Sequence, residues 1–186
     1  MRRRDIDKEK RIKDAVIEVM RREGFEGASI SKIAKEAGIS PATVYIYYES
    51  KEQMLSSIYQ EYTENAYNFL ARQLDCGMDG AALIDEMLRA YYGYIRSHYK
   101  TFLFMEQCTH SPNICSGEGL NKNCIHTMIE ELKGKGVLKD YSCESLATIM
   151  FYPVKAISFQ NRPEAEALNL LDELIQIIQE AVLKKH

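Results

Sequence analysis

Apolar positions recur every three or four residues along nearly the whole chain, the period of an α-helix and not of a strand. Between Lys8 and Arg22, Ile12, Ala15, Val16 and Val19 fall at i, i+3, i+4 and i+7, so a helix there buries one face, and Gly24 ends it. Two short helices follow, over about 30–37 and 41–47. Ser50 opens a long one. With Gln53 it resembles a capping box, and Leu55, Ile58, Tyr59, Tyr62, Ala66, Phe69 and Leu70 continue the apolar face. The run Cys76 to Gly80 breaks it. A helix is predicted from about Ala81 to His98, a shorter apolar segment from Thr101 to Cys108, and another helix from Ile114 to Leu132 with a loose start around Gly117 and Gly119. Gly134 to Gly136 form a loop. The last two helices are expected at 142–161 and 163–184, with a kink at Pro153 in the first. In the final helix Leu168, Leu171, Leu174, Ile175, Ile178 and Val182 make one stripe. Leu170 and Ile177 lie off it, so the apolar arc is wide enough to need more than one partner.

The pattern is most specific between Ser29 and Lys51. Ser29 can cap a first short helix on which Ile33, Ala34 and Ala37 are small or apolar. Gly38 stands where a helix end wants positive φ. Ser40 then caps a second helix, with Pro41 in the first turn, where a missing N–H does no harm. Helix, glycine turn, helix is the helix-turn-helix signature, and its second helix usually enters the DNA major groove. Thr43 and Tyr45 lie near the start of that helix, where side chains and backbone N–H groups can meet phosphates or base edges. Ser40, Pro41 and Ala42 line its leading edge, and Pro41 or Ala42 offers apolar contact to a thymine methyl. Tyr45 and Tyr48, three apart, are expected to share a face roughly, with Tyr47 pointing elsewhere. The predicted fold is all-α: a three-helix head over 1–50, then a larger helical domain over 51–186.

Charge sharpens this division. The net charge of −3 hides 12 Lys/Arg against 9 Asp/Glu in residues 1–51, and 12 against 18 in the remainder. A basic head on an acidic body suits nucleic-acid binding by the head alone. No apolar run approaches the ~20 residues of a membrane span. The basic start lacks the apolar stretch of a signal peptide, so a cytoplasmic protein with no membrane partner is expected. Five cysteines at irregular spacing do not read as a disulfide framework.

The motif and its surroundings resemble the TetR family of bacterial transcriptional repressors. The resemblance rests on Ala15, Gly24-Phe25, Ile33-Ala34, Ala37-Gly38-Ile39-Ser40, Thr43-Val44-Tyr45, Tyr48, and Ser50-Lys51-Glu52 leading to Leu55. It implies that Tyr45 bonds a phosphate, that Tyr47 reaches bases or backbone, that Lys51 contacts phosphate, and that Tyr48 is a buried aromatic. Ser29 and Ser31 would bond phosphate, the latter sometimes reading a base. No Arg, Asn or Gln stands in the second helix, so apolar and hydroxyl contacts and DNA shape would carry specificity. The resemblance further implies a homodimer through the two C-terminal helices on a double-stranded operator. The middle helices would enclose a small-molecule effector of apolar or amphipathic character. The aromatic and thioether candidates for that pocket are Tyr62, Phe69, Met87, Tyr91, Tyr92, Phe102, Met105, Met128, Phe151 and Phe159.

The residues bear on two other chemistries. Cys108, His110, Cys115, Cys124 and His126 fall within twenty residues, which admits a thiol-redox or metal-responsive regulator on the same scaffold. Their spacing lacks the regularity of a structural zinc site, so no metal and no cofactor is assigned. A glycine-rich phosphate loop, a serine nucleophile elbow and an HExxH run are all missing, and no enzyme activity is expected.

Overall fold

A computed structural model describes residues 2–73, 78–109, 111, 114 and 121–184. Side-chain caps set the N-terminal boundaries of five helices. Ser29 Oγ accepts from the Lys32 amide, Ser40 Oγ from Thr43, Ser50 Oγ from Gln53, Asp79 Oδ1 from Ala81 and Ala82, and Ser142 Oγ from Ser145. Each satisfies a first-turn donor that has no partner within its helix. The resulting helices are α1 (Arg2–Gly27), α2 (Ile30–Ala37), α3 (Pro41–Tyr47), α4 (Lys51–Gln73), α5 (Gly80–Ser97), α6 (Tyr99–Thr109), α7 (Asn121–Gly134), α8 (Cys143–Ser158) and α9 (Glu164–Val182). Among the described residues the protein is all-α; its one β feature is an isolated bridge between Leu138 and Leu183.

The helical reading holds with small shifts at the ends. Helix α1 begins earlier than its apolar stripe, because nothing in the polar stretch before Ile12 breaks a helix. Gly24, at φ 70°, kinks it where the sequence placed its end, and one further turn follows to Gly27. Helix α8 runs on through Pro153. The expected loose start around Gly117 and Gly119 lies outside the described residues.

The chain packs as two units. The first comprises residues 1–63 and 100–119. Its core joins Ile12, Val16, Val19 and Met20 of α1 with Ile33 and Ala34 of α2, Val44 of α3, Met54, Leu55 and Ile58 of α4, and Phe104 and Cys108 of α6. A cut after residue 50 would sever this core from three large side chains of α4, so the packing unit reaches beyond the helix-turn-helix itself. The second unit comprises residues 64–99 and 120–186. Helices α5, α7 and α9 all pack against α8 there. Ile84, Met87, Leu88, Met128, Ile129, Leu146, Met150, Val154, Leu171, Ile175 and Ile178 fill its interior. The α7–α8 connection turns at Gly136, φ 73°. It is tied to the end of α9, where Lys139 N donates to Val182 O (2.8 Å) and Lys184 N to Val137 O (3.0 Å).

Candidate nucleic-acid interface

The turn between α2 and α3 is built from its backbone outward. Gly38 caps α2 in the left-handed region, φ 65° and ψ 39°, and Ile39 N donates back to Ala34 O (3.0 Å). That bond and the left-handed residue close the helix end as a Schellman-type stop. The Arg11 guanidinium, from α1, donates to Ala37 O and to Gly38 O (3.2 Å). A cation at a helix C-terminus meets the carbonyls that the helix leaves unpaired. Sequence spacing gave no hint of this residue, which lies 26 positions from its acceptor.

Helix α3 starts at once. Ser40 Oγ and Thr43 Oγ1 lie 2.9 Å apart, and Ser40 Oγ also takes the Thr43 amide at 3.2 Å. Val44 is buried and fixes the inward face. Pro41, Ala42, Tyr45 and Ile46 are exposed on the other side, Tyr45 at 56% and Ile46 at 79%. Two large apolar or aromatic side chains held open to solvent on a seven-residue helix make poor use of hydrophobic residues unless something covers them. Tyr47 is half-buried against the core. Tyr48 is buried, as a packing aromatic should be, but it does not share a face with Tyr45. The helix stops at Tyr47, and Tyr48 follows in extended backbone, φ −140° and ψ 132°, which turns its ring into the core. Burial pushes its phenol up to about 12.

Ser29 and Ser31 stand at the start of α2, Ser29 engaged as the cap and Ser31 exposed. Lys51 Nζ donates to Phe25 O (2.9 Å) and sits 4.7 Å from the centre of the Phe25 ring. Several of the unit's other cations are matched by its own carboxylates. Arg22 pairs with Glu36 (3.1 Å) and Glu23 (3.2 Å), Lys32 with Glu23, and Lys13 with Glu9 (2.8 Å) and Glu61. Lys100 and then Arg21 hold the Glu18 carboxyl below its usual range. The exposed face of α3 itself carries no charge, only hydroxyls and apolar surface. That surface can accept or donate hydrogen bonds at base edges and phosphates and can meet thymine methyls.

A model of bacterial regulatory proteins of the tetR family matches residues 12–58, which span most of α1, the whole turn and the start of α4. Over its full length the chain also superposes on a TetR-family transcription regulator from Marinobacter aquaeolei, with a TM-score of 0.82, 25% identity and 100% of both chains covered. The match over residues 12–58 and the shared fold are those of the TetR family of bacterial regulatory proteins. Among curated relatives, the chain is 42% identical over 48 residues to the fatty acid metabolism regulator protein of Bacillus subtilis, covering 26% of this chain and 25% of that one. It is 28% identical over 97 residues to a nicotine-responsive transcriptional repressor of Paenarthrobacter nicotinovorans, covering 52% and 50%. The chain thus matches between a quarter and a half of the length of these two relatives. The fatty acid degradation regulator of Bacillus halodurans, at 19% identity and a TM-score of 0.68 over 92% of this chain and 94% of that one, shares the fold.

The effector candidates divide between the two units. Tyr62, Phe102 and Met105 belong to the first, with Tyr62 edge-on to Phe104 at 6.2 Å. Phe69, Met87, Tyr91, Tyr92, Met128, Phe151 and Phe159 belong to the second. Met87, Tyr92, Met128 and Phe151 are buried in its core, and Tyr91 meets Phe151 edge-on at 5.2 Å. Phe69 lies against Tyr94 (4.7 Å) and Phe159 against Tyr99 (5.5 Å). Of the thiol and imidazole group, Cys108 is buried in the first unit and His126 is exposed in the second. His110, Cys115 and the side chain of Cys124 lie outside the described residues. No described helix is long and apolar enough to cross a membrane.

Proposed function

We propose that the chain is a DNA-binding transcriptional regulator, a ligand-responsive repressor that grips a palindromic operator as a homodimer. The observation that carries this reading is the exposed, uncharged face of α3 within the segment matched by the family. Residues 1–50, with Lys51 at the start of α4, hold the DNA contacts, and the remainder of 51–186 the effector and dimer functions. Thr43 and Tyr45 bond phosphate or base edges, Tyr47 reaches bases or backbone, Ser29 and Ser31 bond phosphate, and Pro41 or Ala42 meets a thymine methyl. Lys51 has three ammonium donors; one is spent on Phe25 O, and the others serve a phosphate.

A single helix-turn-helix has little surface, and two-fold pairing doubles it. The second unit supports pairing through α8 and α9. Tyr152 and Ile177 are each 61% exposed there, with Ile149 and Leu168 also open and Leu170, Leu174 and Ala181 half-buried. Of these, Leu170 and Ile177 are the two that the sequence places off the stripe of the last helix, while Leu168, read as part of the stripe, is open. The effector reading rests on the aromatic and thioether core of the same unit, and on a relative whose name records a response to nicotine. A small apolar or amphipathic molecule that binds one conformation of the dimer better than the other would release the operator by that difference alone. Helix α4 supplies side chains to both cores and is the element to carry the shift.

The test is titration of fluorescent duplex DNA from upstream of the chain's own gene. Tyr45→Phe and Thr43→Val each remove one hydroxyl from an exposed or half-exposed side chain and leave the fold intact. Each should weaken sequence-specific binding by about 5- to 30-fold, from ~1–2 kcal/mol per lost contact. Unchanged affinity in both variants would remove α3 from the interface.

A further inference from the structure

We infer that the second unit carries a binding site for a divalent transition-metal ion of the zinc or cobalt type, formed by His126, Glu130 and Cys143. One ligand atom from each, an imidazole nitrogen, a carboxylate oxygen and the thiol sulfur, all lie within 4.8 Å of one another. His126 and Glu130 are four apart on α7, so they stand one above the other on a single face. Cys143 opens α8 after an eight-residue connection, and its Sγ lies 2.7 Å from Glu130 Oε1.

The backbone under these groups is fixed on both sides. Ile129 and Leu132 of α7 are buried beside the ligands, as is Leu146 of α8. The connection between them is tied to the end of α9 by the Lys139 and Lys184 amide bonds and by the Leu138–Leu183 bridge. Ser142 caps α8 immediately before Cys143. The ligating side chains themselves are exposed or half-buried and can move. Tetrahedral bonds of ~2.0–2.3 Å place ligand atoms about 3.3–3.8 Å apart, so closure requires side-chain movement of about 1 Å.

The donor set is one nitrogen, one oxygen and one sulfur, which suits a borderline ion and neither magnesium nor calcium. As the metal–sulfur bond forms, the thiol proton passes to solvent. Glu130 and the thiolate then carry two negative charges against the ion's two positive ones. Lys133, which bonds both Glu130 (3.2 Å) and Asp140 (3.1 Å), is left paired with Asp140. A solvent molecule completes the fourth position. The ordinary i, i+3 pairing of Lys133 with Glu130 explains the carboxylate's place but not the convergence of an imidazole and a thiol on it.

The site is independent of the DNA-binding reading and is tested without DNA. The full chain, stripped with chelator and kept reduced without added thiols, is titrated with cobalt(II). The inference predicts one equivalent bound, with a thiolate-to-cobalt charge-transfer band in the near ultraviolet that zinc(II) bleaches. Cys143→Ser should abolish the band, and His126→Ala and Glu130→Gln should each weaken binding by ~10-fold or more. Circular dichroism should be unchanged in all three, since His126 and Glu130 are exposed and Cys143→Ser exchanges one small, partly buried side chain for another. Absence of the band, its survival in Cys143→Ser, or full affinity in both His126→Ala and Glu130→Gln would overturn the site.

Discussion

Replacing Gly38 with alanine perturbs the turn on which the position of α3 depends, and its cost follows from the geometry. The residue sits at φ 65°, ψ 39°, a region that costs an L-residue with a Cβ roughly 1–2 kcal/mol. The added Cβ would also stand 2.7 Å from Arg11 Nη2, so the guanidinium must swing away from the Ala37 and Gly38 carbonyls it now bonds. Loss of that solvent-accessible, charge-assisted bond adds about 1 kcal/mol. The sum is a destabilisation of about 2–3 kcal/mol, confined to the first unit. Urea unfolding followed by far-ultraviolet circular dichroism measures it, analysed by unit if two transitions appear. Gly38→Asn, whose residue tolerates the left-handed region, should cost less than the alanine. Gly93→Ala is the control: it lies inside α5 with open space around it, and alanine there should stabilise by ~1 kcal/mol. A Gly38→Ala protein within ~0.5 kcal/mol of the parent, below the roughly 1 kcal/mol minimum of the strain alone, would refute the reasoning.

Tyr48 gives a pH dependence of known sign. Its folded phenol titrates near 12 because it is buried, against about 10 in the unfolded chain, so its contribution is full below pH 10 and is lost as pH rises through 12. Tyr48→Phe should remove that alkaline loss, read as a flatter stability profile from pH 10 to 12. Met87 is fully buried, and Met87→Ala should destabilise the second unit by about 2–5 kcal/mol in thermal or urea melts, while DNA affinity measured well below the melt persists. Tyr152→Glu with Ile177→Glu places charge on the uncovered faces of α8 and α9. Light scattering at micromolar concentration should then show a monomer where the parent is a dimer, and a parent that is itself monomeric would end the pairing proposal.

Local chemistry made the head legible in the sequence. Ser29, Gly38, Ser40 and Pro41 each act through atoms of their own turn, so residue type alone located α2 and α3 to the residue. Tyr48 was readable as core but not by its angle from Tyr45, since a helical wheel fails one residue past a helix end. Long-range features left no such trace. Arg11 reaches a carbonyl 26 positions away, and the 100–119 segment joins the first unit although the chain between 64 and 99 belongs to the second. The same holds for His126, Glu130 and Cys143. Spacing grouped His126 with the cysteines of 108–124 and not with Glu130 or Cys143; the turn at Gly136 and the tie to α9 accompany the approach of that thiol.

On the proposed function, α3 reads a DNA sequence from a two-fold protein. Selection of duplexes from a random pool by the purified full chain, followed by titration of the selected and scrambled sequences across salt, tests it most directly. The expected result is enrichment of a palindrome with half-sites one helical turn apart or a multiple of it. Two protomers should bind per site, and scrambled DNA should be distinctly weaker at every salt concentration. A pool that stays random, with all duplexes bound equally and with one shared salt slope, would reduce the interaction to phosphate attraction and contradict it.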